Sequence, residues 1–291
     1  MNLQERIKKR QNDQDMLECQ YSARYYYNAA EIRNAISLFF SILAAFCVVI
    51  PNFSNTTISS LILFLPILFS FLSILFIYLM KRKVLCASTL RNYFDDNVLE
   101  FFSNKRSQDE IRKIHTLIID ATSKHRSKFE EQITNTGRDN PPGVKNWYEF
   151  SKEYSDTEVV FECQKQNQWW NKRMLCIRLI FSVVLLSFIL LGTIALCLLI
   201  NIPAPKILAS FCGLIVILID RIVENKRYIC LSSKIDNFFE AYSVSKSKKQ
   251  IKALQELLES RRSLPVLEIN FIHKKLSRVL SERYEDISKN S

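Results

Sequence analysis

The stretch that decides the fold is ISSLILFLPILFSFLSILFIYLM, residues Ile58 to Met80, which runs directly into the basic residues Lys81 to Lys83. It holds no charged residue and is longer than the roughly 20 residues that an α-helix needs to cross a hydrocarbon core of about 30 Å. A second apolar block, Ala35 to Phe53, precedes it across the short turn SNTT. The two blocks therefore predict an antiparallel transmembrane hairpin.

Two further apolar blocks predict a second hairpin. The third block runs from Leu175 to Ile200, and the connection NIPAP leads to the fourth, about Ile207 to Val223, which is the weakest of the four. With only 4 glycines in 291 residues, a sheet with many tight turns is not expected. The predicted fold is all-α: a polytopic membrane protein with two transmembrane helical hairpins, hence four spans, and a helical cytosolic bundle.

Basic residues indicate the orientation of these spans. Six Lys or Arg precede the first span, sixteen lie in the central segment 81–172 and fifteen follow from Arg221, whereas the SNTT turn holds none. Because cytoplasmic loops carry the excess of Lys and Arg, both hairpin turns are predicted to face outward and both termini the cytoplasm. The net charge of +11, concentrated in the C-terminal segment, also favours contact with anionic membrane lipid.

The apolar blocks divide the chain into five predicted segments: an N-terminal amphipathic helix (1–34), the first transmembrane hairpin (35–80), a central cytosolic helical region (81–172), the second hairpin (173–223) and a C-terminal cytosolic helical region (224–291). Helical spacing predicts buried stripes in the first and third segments. Their members are Ile7, Met16, Leu17, Tyr21, Tyr25, Ala29 and Ile32, then Val84, Leu85, Leu90, Tyr93, Phe94, Val98, Leu99 and Phe102. A capping box is predicted at Ser107 and Glu110, and a loop over 134–143.

The sequence offers no motif for catalysis, metal binding or a cofactor, so we expect a protein that is not an enzyme. The acidic pairs Asp95-Asp96 and Glu130-Glu131 are interpreted as solvated helix faces. Asp220 lies at membrane depth, where an ionisable residue is a functional candidate. It predicts either an interfacial ion pair or, together with Ser210 and Gly213, a pore or gating element.

Several short motifs resemble those of the S-4TM family of four-span effectors that accompany bacterial cyclic-nucleotide synthases of the SMODS type. The N-terminal series Ile7, Arg10, Gln11, Asn12, Leu17, Ala23, Arg24 and Tyr27 is similar to the opening signature of that family. Trp147-Tyr148 resembles its Asp-Trp-Tyr element, and CQKQNQWWNKR (Cys163 to Arg173) its element before the third span. Arg261, Arg262, Pro265 and Tyr284 resemble its tail. Asn146 and Asn171 depart from the acids usual at those positions.

The resemblance implies a membrane effector of CBASS-type anti-phage defence in the bacterial inner membrane. A partner nucleotidyltransferase would supply a cyclic oligonucleotide, and the effector, as a homo-oligomer, would permeabilise the membrane and cause abortive infection. DNA or RNA duplexes are not expected partners. The alternative left open is a non-enzymatic membrane scaffold or adaptor that recruits a cytosolic partner.

The tryptophan pair before the third span admits three interpretations. Trp169 and Trp170 can anchor the helix at the interface, pack against the N-terminal helix, or stack on a nucleobase. In the third case we expect arginines to meet phosphate and amides to read a base edge. The hypothetical ligand-binding residues are Arg10, Gln11, Arg24, Trp147, Tyr148, Gln164, Asn167, Trp169, Trp170 and Arg173.

Overall fold

The computed structural model of the protein describes residues 1–47, 56–100, 106–150, 152–199, 204–241, 247–266 and 279. The side chains at 56–63, 170–183, 185, 186, 189, 193, 196, 197, 204–210 and 212 fall outside that description. The helices are α1 (Leu3–Arg10), α2 (Gln14–Phe46), α3 (Thr56–Val98), α4 (Gln108–Lys124), α5 (Arg126–Thr134), α6 (Asp156–Leu199), α7 (Ala204–Ala241) and α8 (Lys248–Arg262). Over these ranges no strand forms, apart from an isolated bridge between Thr136 and Lys145. The all-α prediction is confirmed.

Some predicted features fall on residues outside the description. The turn SNTT lies there except for its last two residues, which begin α3, and so does NIPAP except for Ala204 and Pro205, which begin α7. Phe102 also lies outside, as does the end of the predicted C-terminal helical region beyond residue 266 apart from residue 279. These features stay predictions.

Four helices are far longer than an ordinary globular helix. They contain 33 residues in α2, 43 in α3, 44 in α6 and 38 in α7. At about 1.5 Å per residue even α2 is roughly 50 Å long, which exceeds the roughly 30 Å of a hydrocarbon core. By length and composition, α2 and the Phe64–Val98 part of α3 qualify as membrane spans among the described residues.

The predicted first hairpin forms by close packing of α2 on α3. Ser73 of α3 lies 2.7 Å from the hydroxyl of Ser41 and 3.0 Å from that of Ser37, and it donates to the Ser37 carbonyl at 2.8 Å. All three serines are buried. Small hydroxyl residues let two membrane helices approach closely and hydrogen-bond to each other, which is the usual way in which such helices associate.

Large apolar side chains on the outside of these helices have no protein neighbours that cover them. Examples on α3 are Phe64, Ile67, Phe71 and Tyr78, and those on α6 include Phe188 and Leu198. A soluble protein rarely exposes so large a contiguous apolar surface. The surface therefore fits contact with lipid hydrocarbon.

Beyond the apolar segments, the helices join one core, the bundle that the sequence predicted to be cytosolic. Its buried residues come from α1, α2, α3, α4, α6, α8 and the segment before α6, and they include Ile7, Met16, Phe94, Ile114 and Ile251. Most residues of the predicted apolar stripes thus lie in this core. The capping box of Ser107 and Glu110 is confirmed at the start of α4, and a second one, of Ser247 and Gln250, begins α8.

Two members of the predicted stripes are wrong. Ile32 is 61% exposed, because it lies nearly opposite the face of α2 that runs through Ala23, Tyr26 and Ala30 and is buried there. Leu85 is 58% exposed, whereas Val84 beside it is fully buried. Adjacent helical residues lie about 100° apart, so a broad stripe drawn from sequence can include one that faces outward.

Candidate functional site

The N-terminal motif residues bind the backbone of the segment before α6. The Gln11 side chain donates to the Tyr148 carbonyl at 3.1 Å and accepts from the Tyr148 amide at 2.7 Å. Asn12 accepts from the Asn146 amide at 2.9 Å and donates to the Asn146 side chain at 2.8 Å. Asn146 has a positive φ of 52°, which Asn tolerates better than most residues. Gln11 and Asn12 therefore hold residues 146–148 against the start of α2.

Two arginines proposed to meet phosphate have partners within the protein. Arg10 forms ion pairs with Asp15 at 2.7 Å and Asp13 at 3.0 Å. Arg24 donates to the carbonyls of Pro142 at 2.6 Å and Gly143 at 3.1 Å. The loop predicted over 134–143 is thus fixed to α2. A ligand phosphate at either arginine would have to compete with these bonds.

A chain of buried polar groups links Trp147 and Tyr148 to α3 and α6. The Tyr148 hydroxyl donates to Asp95 at 2.8 Å and accepts from the Asn167 side chain at 2.9 Å. The Trp147 indole N–H lies 3.4 Å from the Asn167 oxygen. Burial and the Asp95 charge raise the pKa of Tyr148 above its usual value. These groups, with Arg262 described next, are called the central polar network.

The Asp95 carboxylate is a buried ion, in contrast to the solvated face that the sequence predicted. It is 2% exposed and pairs with Arg262 of α8 at 2.8 Å. Arg262 also lies 3.2 Å from the Asn92 side chain. Burial lowers the pKa of Arg262, but Asp95 and Tyr148 together raise it, so the net shift is upward. The interpretation of Asp95 was wrong because its charge is matched by a residue far along the chain.

The glutamines of the CQKQNQWW element join α6 to α7 and α8. Gln164 donates to Gln255 at 3.0 Å. Gln168 donates to Ser232 and Asp236, each at 2.8 Å, and accepts from Arg261. Arg261 is 1% exposed. Sequence reasoning did not single out Gln168, although it lies in the same element and its spacing from Gln164 puts both on one helical face.

The tryptophan pair lies inside the continuous helix α6. Trp169 is partly buried, and the side chains of Trp170 and Arg173 fall outside the description. The structure brings Gln11, Trp147, Tyr148 and Asn167 together, and it places Gln164 at a separate contact with α8. Binding of a base by Tyr148 or Asn167 would require their present hydrogen bonds to break.

The candidate gating residues lie on α7. Lys81 of α3 pairs with Asp220 at 2.7 Å, and Glu224 lies 3.6 Å from the same ammonium group. Arg221 donates to Asn34 of α2 at 2.7 Å. Asp220 therefore forms an ion pair with the first residue of the basic run that ends the second predicted span. It ties α7 to α3 where both leave the apolar region.

Gly213 lies at a close approach between α7 and α3. A Cβ at this position would lie 2.6 Å from the Ser70 hydroxyl and 3.0 Å from its Cβ. A side chain larger than hydrogen would therefore push the helices apart. The backbone of Ser210 lies one turn earlier in α7, and its side chain is outside the description.

Comparison with known proteins identifies the family. The model of the SMODS-associating 4TM effector domain matches residues 5–289, nearly the whole chain. No curated protein and no solved structure matches the chain. The match spans the N-terminal motifs, both apolar hairpin regions, the tryptophan element and α8, and it agrees with the membrane helices described above. The chain belongs to the family of SMODS-associating 4TM effector domains.

Proposed function

We propose that the protein is a cyclic-oligonucleotide-responsive effector that permeabilises the bacterial inner membrane in CBASS-type anti-phage defence. The family is associated with SMODS cyclic-nucleotide synthases, and this supports the assignment of a partner nucleotidyltransferase. The arrangement has four spans, with both termini in the cytoplasm. This orientation rests on the basic residues of the cytosolic segments.

The observation that carries the proposal is the continuity of the long helices. Within α3, Ser73 packs in the hairpin and Asp95 lies in the central polar network. Within α2, Ser41 packs in the hairpin and Gln20 lies among the buried polar groups of the cytosolic core. An α-helix transmits a displacement along its axis, so a change in the cytosolic network moves the membrane segments with it.

A conduit requires more than one copy of the chain. Four helices leave little room between them for a water-filled path, so the active state is a homo-oligomer embedded in lipid. Gating must be steep, since moving a population from 1:99 to 99:1 takes about 5.5 kcal/mol of differential binding. Asp220, Gly213 and Ser210 on α7 are the proposed gating residues, because two of them lie at the contact of α7 with α3.

Dye release from liposomes that carry the purified protein tests the proposal directly. Each cyclic di- and trinucleotide of a panel is added from the side that the cytosolic bundle faces. Release with one nucleotide, and none without it, is expected. Sealed vesicles under every condition, with insertion verified by protease protection, would contradict permeabilisation and favour the scaffold or adaptor.

The tryptophan hypothesis has its own test within the same assay. Trp169→Leu keeps an apolar side chain at the interface and removes the indole. If Trp169 stacks on a base, the affinity for the activating nucleotide falls by about tenfold or more. An unchanged affinity assigns Trp169 to anchoring and packing.

A further inference from the structure

One cation in the cytosolic bundle has no anion of its own. Arg91 of α3 donates to the Gln20 side chain of α2, and its guanidinium lies 4.0 Å above the Trp147 ring. Within the described ranges no carboxylate lies at ion-pairing distance from Arg91. The one acid that attracts it closely, Asp95, is already paired with Arg262. Burial and the charge of Arg262 lower the pKa of Arg91, as expected for an uncompensated cation.

Gln20 supplies a second unmatched group at the same place. An arginine has only donors, so the Gln20 oxygen must face Arg91, and the Gln20 amide nitrogen then points elsewhere. That nitrogen is buried without a hydrogen-bond partner, and Gln20 is 2% exposed. Buried donors without partners are rare and call for an explanation. The site thus presents a guanidinium and an amide donor, both ready for an acceptor.

The site lies just below the surface of the bundle. Arg91 and Trp147 are each partly exposed, whereas the Arg91 guanidinium and Gln20 are buried, so a ligand reaches these groups when the bundle opens locally. Arg91 lies eight residues after Lys83, which is about 12 Å along α3 from the basic run at the predicted membrane edge. A soluble ligand reaches this position more easily than a lipid headgroup does.

We propose that Arg91 and Gln20 form an anion site for a phosphate group, with Trp147 holding the guanidinium in place. This deepens the proposed function and rests on it for the source of the phosphate, a cyclic oligonucleotide. Guanidinium groups held by an aromatic face bind phosphate with fixed geometry. None of the N-terminal or tryptophan motifs pointed to Arg91, and Trp147 takes the role of positioning residue.

The site explains how ligand would act on the membrane. Gln20 belongs to α2, Arg91 to α3, and Trp147 to the segment that leads into α6. A phosphate bound to Arg91 and Gln20 compensates the positive charge beside Arg262 and replaces the direct contact between Gln20 and Arg91, so α2 and α3 shift relative to each other. Both helices continue into the hairpin that Ser73 holds together.

The decisive variant is Gln20→Glu, which gives Arg91 a carboxylate of its own without a change in size. In nanodiscs, this variant should melt at a higher temperature than the wild type without ligand, and bind the activating nucleotide at least about tenfold more weakly. A merely structural lesion would lower the melting temperature instead. Arg91→Gln should weaken binding by a similar factor. Arg6→Gln, which removes the same charge from an exposed pair with Glu100, is the matched control and should change nothing.

The experiment distinguishes two sources of the phosphate, a nucleotide and a lipid headgroup. Nanodiscs of phosphatidylcholine, with and without phosphatidylglycerol, are titrated with the panel of cyclic di- and trinucleotides. Nucleotide binding that depends on Arg91 and Gln20 supports the site. A rise in melting temperature that depends on Arg91 and occurs with phosphatidylglycerol alone would also support the anion site. In that case the phosphate comes from lipid, and the proposed response to a nucleotide would be contradicted. Nucleotide-driven dye release with affinity unchanged in both variants would overturn the site and leave the proposed function standing.

Discussion

The hairpin of α2 and α3 and the bundle outside the apolar region are stabilised by different interactions. In the hairpin, α2 and α3 meet through the small hydroxyls of Ser37, Ser41 and Ser73, and the large apolar residues face outward. In the bundle, the large apolar residues face inward and surround a buried ion pair, Asp95 with Arg262. Lipid already solvates apolar surface, so only close contact and hydrogen bonds hold membrane helices together, whereas water drives apolar side chains into a core. We therefore expect the stability of the bundle to depend on individual charged residues and the stability of the hairpin to depend on close packing of its helices.

The largest effect is expected from Asp95→Ala. The change leaves the Arg262 guanidinium buried without its anion and the Tyr148 hydroxyl without its acceptor. Removing one partner of a buried ion pair costs about 3–5 kcal/mol. Urea unfolding of the full chain in a fixed detergent, followed by tryptophan fluorescence, measures the loss of free energy of unfolding.

Two further variants sharpen this prediction. Asp109→Ala removes an acid whose side chain is 80% exposed and should cost almost nothing. Adding Arg262→Met to Asp95→Ala should restore part of the lost stability, because the Arg262 charge is then no longer buried without its anion. A loss under about 1 kcal/mol for Asp95→Ala would contradict the claim that the bundle depends on this pair.

Gln11→Ala should have the next largest effect. It removes both hydrogen bonds to the Tyr148 backbone and leaves a buried N–H without a partner, which costs about 1–3 kcal/mol. Hydrogen exchange at the Tyr148 amide should accelerate with the loss of stability. Gln14→Ala is the control, since Gln14 is exposed and bonds only Glu18. Equal exchange at Tyr148 in the wild type and Gln11→Ala would show that residues 146–148 are held by other contacts.

Some features of the molecule could be predicted from the sequence, and others could not. The length and lack of charge of Ile58 to Met80 are local properties, and so is the Ser107 capping box, so both could be predicted without knowledge of the fold. The burial of Asp95 could not, because it depends on α8, and 170 residues separate Arg262 from its neighbour Asn92. A carboxylate on a helix carries no local sign of whether a distant arginine will cover it.

The N-terminal segment illustrates a second limit. Within α2 the buried face includes Leu17 and Tyr21 near the start of the helix but Ala30 further along, so a single stripe extended to Ile32 leaves the core. Arg91 illustrates a third, since its lack of a carboxylate becomes apparent only when its neighbours are known. Of the candidate ligand residues, Gln11, Trp147, Tyr148 and Asn167 lie together in the structure as a hydrogen-bonded network, and their binding of a ligand stays a prediction.

Gly213→Ala tests the dependence on fit in the membrane region. The new methyl would lie 2.6 Å from the Ser70 hydroxyl, and overpacking of this kind costs about 1–3 kcal/mol. Gly192→Ala is an equivalent change on α6 with nothing within 4 Å, so it should be neutral. Thermal melting in nanodiscs measures both. Basal dye release should rise for Gly213→Ala alone, because α7 and α3 are pushed apart.

Ser70→Ala provides the rescue for this variant. The Ser70 hydroxyl makes no hydrogen bond in the part of the chain that the structure describes, so its removal should cost little and make room for the new methyl. The double variant should then be more stable than Gly213→Ala, with a coupling of opposite sign to the single losses. Additive losses of stability would mean that the methyl of Gly213→Ala does not clash mainly with Ser70.

Ser73→Ala should cost less. It removes the hydrogen bonds that join α3 to Ser37 and Ser41, and interhelical bonds of this type in membranes average about 0.6 kcal/mol, with a maximum near 1.7. Steric trapping or thermal melting of the full chain in nanodiscs can resolve such a difference. A loss as large as that of Asp95→Ala would erase the contrast between the two regions.

The smallest effect on stability is expected from Lys81→Gln, at the boundary between the regions. Lys81 and Asp220 are each about one-third exposed, and pairs of this kind contribute about 0–1 kcal/mol and weaken with salt. Melting temperatures of the variant and the wild type should therefore converge as salt is raised. Arg82→Gln removes a neighbouring exposed charge that lies over the Tyr78 ring and has no ion pair among the described residues, so it serves as the control. If basal dye release nevertheless rises for Lys81→Gln and not for Arg82→Gln, the pair with α7 contributes little to folding but holds the membrane helices closed. The boundary would then differ from both regions, because its contact is weak and accessible to solvent and can therefore be broken during activation.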